Sequence, residues 1–194
     1  ISDADYDHVL VTLEGDDSAS FRMEGSYLTF TGPANHENQD SYDVDVIATD
    51  GSGATDKVEL DIPVVDVNDD PVITSDTGAP VDEGNTEIYT ATATDEDTDD
   101  TVTLSLSGTD ADKMSIDGST GVVTLDNAAD YETQPSYDFD LEAYDGTTTV
   151  TENIVVNIND VNEAPVLVDI TPATLEENQT DVPIGLVSWS DPDN

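Results

Sequence analysis

Apolar residues alternate with polar ones over most of this chain, in runs too short and too strictly two-periodic for helices. Tyr137, Phe139, Leu141 and Ala143 fall on one side of such a run, with Asp138, Asp140 and Glu142 on the other. The next run puts Ile154, Val156 and Ile158 on one face. An earlier pair of runs matches them: Tyr42, Val44, Val46 and Ala48, then Val58, Leu60, Ile62 and Val64. Period two is the mark of half-buried strands. Pro63 lacks a backbone donor, so its position faces away from a neighbouring strand or sits at a bulge. Gly118-Ser119-Thr120-Gly121 reads as a turn between Met114/Ile116 and Val122, Val123 and Leu125. No stretch carries a helical stripe. Roughly seven short strands in each ~94 residues, separated by Gly, Asp, Asn and Pro turns, predict an all-β chain of immunoglobulin-like β-sandwiches.

The spacing is a repeat, because ordered landmarks return together. Asp3-Ala4-Asp5 recurs as Asp95-Glu96-Asp97 and again as Asp191-Pro192-Asp193. Asn35-His36-Glu37 recurs as Asp130-Tyr131-Glu132, and Ala48-Thr49-Asp50-Gly51 as Ala143-Tyr144-Asp145-Gly146. Val81-Asp82-Glu83-Gly84 is echoed by Leu175-Glu176-Glu177-Asn178. Asp66-Val67-Asn68-Asp69-Asp70-Pro71 has a near-copy in Asp160-Val161-Asn162-Glu163-Ala164-Pro165. The frame is shifted against the modules. Residues 1–69 are expected to be the C-terminal part of one repeat, 70–164 a complete repeat, and 165–194 the first two strands of a third. The ends read as fragment ends within a longer array.

Charge narrows the function. Forty-six acidic residues face only Arg22, Lys57 and Lys113, for a formal net charge of −43. A field of that sign repels nucleic acid and anionic membranes and attracts cations. There is no cysteine, hence no disulfide, thiol catalysis or thiolate metal site. No apolar run approaches the roughly 20 residues that span a bilayer, and no signal peptide opens the chain.

Taken in order, these landmarks resemble the cadherin repeat over the whole chain. The resemblance implies Greek-key β-sandwiches joined end to end. It maps the family's early glutamate onto Glu83 and Glu177, and its Asp-Arg-Glu onto Asp130-Tyr131-Glu132 and, more weakly, Asn35-His36-Glu37. Its Asp-x-Asp falls on Asp3/Asp5, Asp95/Asp97 and Asp191/Asp193, its late aspartate on Asp50 and Asp145, and its linker on the two stretches ending in Pro71 and Pro165. Met114-Ser115-Ile116-Asp117-Gly118-Ser119-Thr120-Gly121 stands for its Phe-x-Ile-Asp…Thr-Gly signature. Extreme acidity, absence of cysteine and abundant threonine look more like the repeats of very large bacterial surface proteins than those of animal cadherins.

The resemblance implies calcium at the junctions, up to three ions at a complete one. Calcium takes six to eight oxygen ligands and tolerates irregular geometry, which suits such loops. The expected first set is Glu37, Asp66, Asn68 and Asp69 with Asp95, Asp97 and Asp145, and Asn35 as an extra oxygen donor. The second is Glu83, Asp130, Glu132, Asp160, Asn162 and Glu163 with Asp191 and Asp193. Two carboxylates ~4 Å apart repel by about 4 kcal/mol at an effective dielectric near 20, so seven together need cations. Asn35 replaces an aspartate and no upstream glutamate precedes it, so the first junction is expected to bind more weakly. Trp189 falls where Ala93 does and is expected to be a core side chain.

Other chemistries fit less well. Asp95-Glu96-Asp97-Thr98-Asp99-Asp100 fails as an EF-hand because Asp100 stands where glycine is required and Leu106 where the last ligand belongs. His8 and His36 read as surface loop residues. The carboxylate pairs recur with the module, which suits a structural ion and not a unique active site, so no enzyme is expected. Asn178-Gln179-Thr180 is a glycosylation sequon. Two functions remain: a calcium-rigidified extracellular spacer or adhesion repeat of a larger surface protein, and a calcium-dependent carbohydrate-binding module. The partners expected are calcium, neighbouring repeats, and another adhesin or a surface glycan, with no direct membrane contact. A glycan site needs an exposed aromatic platform, and the tyrosines without an obvious core assignment (Tyr6, Tyr27, Tyr89, Tyr131) are scattered. That favours the spacer.

Overall fold

Where the sequence alternates most strictly, the backbone is extended and paired. The computed structural model describes residues 8–170 and 174–193, and contacts divide it into two units: Ile1–Asp69 with Glu96–Asp99, and Asp70–Asp95 with Asp100–Asn194. The first unit holds β1 (Leu10–Glu14), β2 (Phe21–Glu24), β3 (Tyr27–Phe30), β4 (Ser41–Thr49) and β5 (Thr55–Pro63). The second holds β6 (Val72–Ile73), β7 (Val81–Asp82), β8 (Glu87–Thr90), β9 (Ala93–Thr94), β10 (Thr103–Ser107), β11 (Met114–Ile116), β12 (Val122–Leu125), β13 (Ser136–Tyr144) and β14 (Thr149–Asn159). It also includes the hairpin β15 (Val166–Ile170) and β16 (Val187–Ser190).

The second unit is a two-sheet sandwich. One sheet runs β10-β13-β14-β7 and the other β11-β12-β8, with β6 paired to β9. All pairings are antiparallel except that of β7, which lies parallel to the end of β14. The predicted inner face of β13 is the core: Tyr137, Phe139, Leu141 and Ala143 are buried, as are Ile154, Val156 and Ile158 on β14. They pack against Ile88, Met114, Val123 and Leu125 from the opposite sheet. Gly121 closes the predicted turn with φ +73°, and a Cβ there would lie 2.0 Å from the Ala91 carbonyl oxygen. Glycine is required on both counts.

The first unit repeats part of this pattern. Its sheets are β1-β4-β5 and β2-β3. Val44 faces Leu60 across the ladder as Phe139 faces Ile154. Pro63 ends β5, an edge strand, where a missing donor leaves no ladder bond unmade. Phe21, Phe30 and Tyr42 form an edge-to-face cluster with ring centroids 4.8–6.0 Å apart.

Two expectations need correcting. Trp189 is 68% exposed instead of buried, because β15 and β16 pair only with each other among the described residues. Tyr89 is no free platform: its ring stands edge-on to Phe139 and its hydroxyl donates to Ser75 Oγ or the Asp76 carbonyl. No helix among the described residues is long and apolar enough to cross a membrane.

Candidate metal centres

Strand ends and the tight turns beyond them deliver the acidic side chains. In the second unit, Glu83 sits in the turn after β7, Asp130 and Glu132 in the loop leading to β13, Asp160 to Glu163 after β14, and Asp191 and Asp193 after β16. Parallel pairing of β7 with β14 sets Glu83 beside the linker. Its two carboxylate oxygens accept the backbone N–H groups of Val161 at 2.6 Å and Tyr131 at 2.9 Å. One glutamate thereby ties the linker to the β12–β13 loop.

Carboxylate oxygens of Glu83, Asp130 and Glu132 lie within 4.8 Å of one another, as do those of Glu132, Glu163 and Asp193. Glu132 belongs to both groups. Glu163 Oε2 is shielded from solvent and has no hydrogen-bond partner. Desolvation, then the charges of Glu83, Glu132, Asp193 and Asp130, push its carboxyl above the usual glutamate range. At Glu132 a hydrogen bond from its own backbone N–H pulls the other way, but desolvation with Glu83, Asp160 and Asp193 still leaves it raised. A buried carboxylate oxygen without a donor, surrounded by four more carboxylates, is the environment a hard cation satisfies. The donor set is all oxygen, which fits calcium.

The first unit builds its counterpart from the equivalent residues. Glu37, Asp69 and Asp97 converge within 4.8 Å, and so do His36, Glu37 and Asp66. The Asp69 N–H donates to Asp97 Oδ2 at 2.7 Å, as the Glu163 N–H donates to Asp193 Oδ2 at 3.0 Å. Asn68 Nδ2 donates to the Asp69 carbonyl and Asn162 Nδ2 to that of Glu163. Both linker asparagines thus use their amide N–H to hold the turn. Asn35 is likewise committed: its Oδ1 accepts the Asn38 N–H and its Nδ2 donates to Glu96.

Several predicted ligands stand outside these groups. Asp95 and Asp145 belong to the second unit and enter none of the described clusters. Asp145 is buried, and its carboxylate accepts the N–H groups of Thr147 and Thr148 and the Thr148 hydroxyl. Asp191 accepts the Asp193 N–H at 3.3 Å, and the charge of Asp160 helps to raise the Glu132 carboxyl. Asp3 and Asp5 lie outside the described residues. The sequence reading passed over His36, whose Nδ1 lies 3.5 Å from Glu37 Oε1 and 3.7 Å from Asp66 Oδ2. Its place inside the Asn-His-Glu triplet was the signal available.

Fold and site together define a class: immunoglobulin-like sandwiches whose loops and linkers gather carboxylates at the module ends. No family model matches the chain. It is 30% identical over 161 residues to the Fat-like cadherin-related tumor suppressor homolog of Drosophila melanogaster, a match covering 78% of the chain and 3% of that protein. It is 31% identical over 152 residues to Protocadherin Fat 2 of Rattus norvegicus, covering 71% and 4%. Among solved structures, mouse cadherin-23 EC22-24 aligns with 25% identity and a TM-score of 0.59, over 79% of the chain and 53% of that structure. The EC3-6 cis-dimer of protocadherin gammaB7 aligns with a TM-score of 0.61 and 24% identity, over 95% and 52%. The chain is built of cadherin repeats. It spans only 3–4% of the curated relatives' length.

Proposed function

We propose that the chain is a calcium-binding spacer and adhesion segment of a larger extracellular surface protein, stiffened by the ions at its acidic linkers and not an enzyme. Glu163 Oε2 carries the proposal: a solvent-shielded carboxylate oxygen without a donor, in a cluster of like charges. The residues that would hold calcium are Glu83, Asp130, Glu132, Asp160, Glu163, Asp193 and the Asn162 amide oxygen in the second unit. In the first they are Glu37, Asp66, Asp69, Asp97 and the Asn68 amide oxygen. Bound calcium supplies the positive charge that lets these loops stay together. Neighbouring repeats are the immediate partners. The relatives carry cadherin and protocadherin names, which supports an adhesive or projecting role at a cell surface.

Calorimetric titration of calcium into the chain, paired with small-angle scattering, tests the proposal. Saturable binding is expected, lost from the second unit's site in Glu163→Gln, with the chain more flexible in chelator than in calcium. Unchanged scattering on calcium removal would refute the stiffening role.

A further inference from the structure

Among the described residues, every other group of converging ligands holds carboxylates alone, but one joins His36 to Glu37 and Asp66. The two segments that carry it are held in place by the backbone. Asn35 Oδ1 accepts the Asn38 N–H at 2.8 Å and the Asn35 carbonyl accepts the Gln39 N–H at 3.1 Å, which folds His36 and Glu37 into one tight turn. The Val64 N–H donates to the Asp40 carbonyl at 2.8 Å, so the stretch entering Asp66 is tied to the segment just after that turn.

His36 Nδ1 lies 3.5 Å from Glu37 Oε1 and 3.7 Å from Asp66 Oδ2. Both distances exceed the roughly 2.7–3.2 Å of an N–H···O hydrogen bond, so direct bonding does not set the spacing. They come close to the edge of a coordination tetrahedron. An ion holding nitrogen and oxygen at roughly 2.0–2.2 Å places them about 3.4 Å apart. Calcium is served by oxygen donors, whereas an imidazole nitrogen favours borderline transition metals. The second unit offers a built-in contrast. Tyr131 stands in the place of His36, and Asp160, the counterpart of Asp66, enters none of the described clusters.

We propose that His36, Glu37 and Asp66 form a site for a borderline divalent transition metal of the zinc class, with water completing its coordination. The inference deepens the calcium reading of the first unit, with which it shares Glu37 and Asp66. Glu37 also converges with Asp69 and Asp97, so its carboxylate serves a nitrogen-containing site on one side and an oxygen-only site on the other. The first unit thereby takes a metal for which the second has no nitrogen ligand.

Zinc titrated into the whole chain, in excess calcium and magnesium at about 0.15 M salt, tests the proposal by calorimetry and by the NMR signals of the histidine rings. One zinc ion per chain is expected to bind above the weak background, shifting the His36 ring and leaving His8 unmoved. His36→Tyr is expected to weaken that binding about a hundredfold or more, since loss of an outer-shell partner alone costs roughly 10–100-fold. His8→Gln should bind zinc as the unmodified chain does. Cobalt(II) in place of zinc should give visible absorption bands that His36→Tyr abolishes. Asp66→Asn, at an exposed position, is a second variant expected to weaken zinc binding, in case His36→Tyr perturbs the turn. Absence of zinc binding in excess calcium overturns the proposal, as does equal binding by both variants and the unmodified chain. Equal shifts at His8 and His36 would overturn it too, by showing histidine affinity without a built site. Loss of calcium binding at Glu163 would leave the zinc result standing, so the two readings fail separately.

Discussion

Aspartates of one residue type do two different jobs in this chain, and hydrogen bonding separates them. Asp117 accepts the N–H and hydroxyl of Ser119 and the N–H of Thr120, bonds that pull its pKa down to about 2. A carboxyl whose folded value lies below its ordinary 3.8 stabilises the fold above that value and loses the contribution as pH falls toward 2. Asp117→Ala is therefore expected to lower the thermal midpoint at neutral pH, with the gap to the unmodified chain closing between pH 3.8 and about 2. A gap constant down to the acid limit would reject the assignment. Asp110 is buried at 7% exposure, accepting the Asp138 N–H at 2.8 Å and Lys113 Nζ at 2.7 Å. Burial alone would raise its pKa, but Lys113, the Asp138 amide and Gln134 together bring it below the usual range. Asp17 does the same in the first unit, with Asp43 and Gln39 as its partners. Asp110→Ala leaves the part-buried Asp138 amide without its acceptor and is expected to lower stability by about 1 kcal/mol, read from the urea midpoint. Sequence could not separate these aspartates from metal ligands or solvated charges, because only the turn around each decides what its carboxylate meets.

Strands differ in how deeply they bury their apolar faces among the described residues: Ile154, Val156 and Ile158 are buried and Leu60, Ile62 and Val64 half-buried. Phe139 on β13 is fully buried and lies against Tyr89. Phe139→Ala is expected to cost about 3–5 kcal/mol, since the tightly packed surroundings cannot collapse onto the space. Gly121→Ala is expected to destabilise through the clash with the Ala91 carbonyl and the strained positive φ, visible as a lower thermal midpoint with unchanged calcium stoichiometry. Long strands were legible in the sequence because each lays at least three apolar side chains on one face, as Tyr137 to Ala143 do. The two-residue strands β6, β7 and β9 show no period, and their pairing depends on partners far along the chain. Trp189 was misjudged for a related reason. Its apolar character does not say whether a second layer covers it, and among the described residues β16 pairs with β15 alone. The convergence of Glu83, Glu132 and Glu163 from three separate loops was legible only through the recurrence of their motifs, since alternation alone cannot connect them. His36 escaped because its neighbours, and not its own identity, give it a role.

At the scale of the whole molecule the surplus of charge dominates. All three basic residues already hold carboxylates: Arg22 with Glu24, Lys57 with Asp45 and Glu59, and Lys113 with Asp110. The remaining repulsion has only mobile ions or bound cations to offset it. Sodium and calcium act differently here. Raising monovalent salt from about 0.01 to 0.15 M shortens the screening length from roughly 30 to 8 Å, which weakens repulsion between distant surface carboxylates but not inside a cluster only a few ångströms wide. Calcium bound to the folded state adds stability as the logarithm of its concentration over its dissociation constant, about 2.7 kcal/mol per site at a hundredfold excess. The thermal midpoint is thus expected to rise smoothly with sodium chloride and then rise again on adding calcium at fixed ionic strength. Glu163→Gln should respond to sodium as the unmodified chain does and lose much of the calcium increment. In calcium-free buffer it should be slightly more stable than the unmodified chain, because removing one charge relieves the cluster that raises the Glu132 and Glu163 pKa values. Thermal scans of both proteins across a matrix of the two salts separate these effects. If calcium and an equal ionic strength of sodium stabilised the chain alike, the clusters would be ordinary acidic surface and the buried oxygen of Glu163 would need another partner.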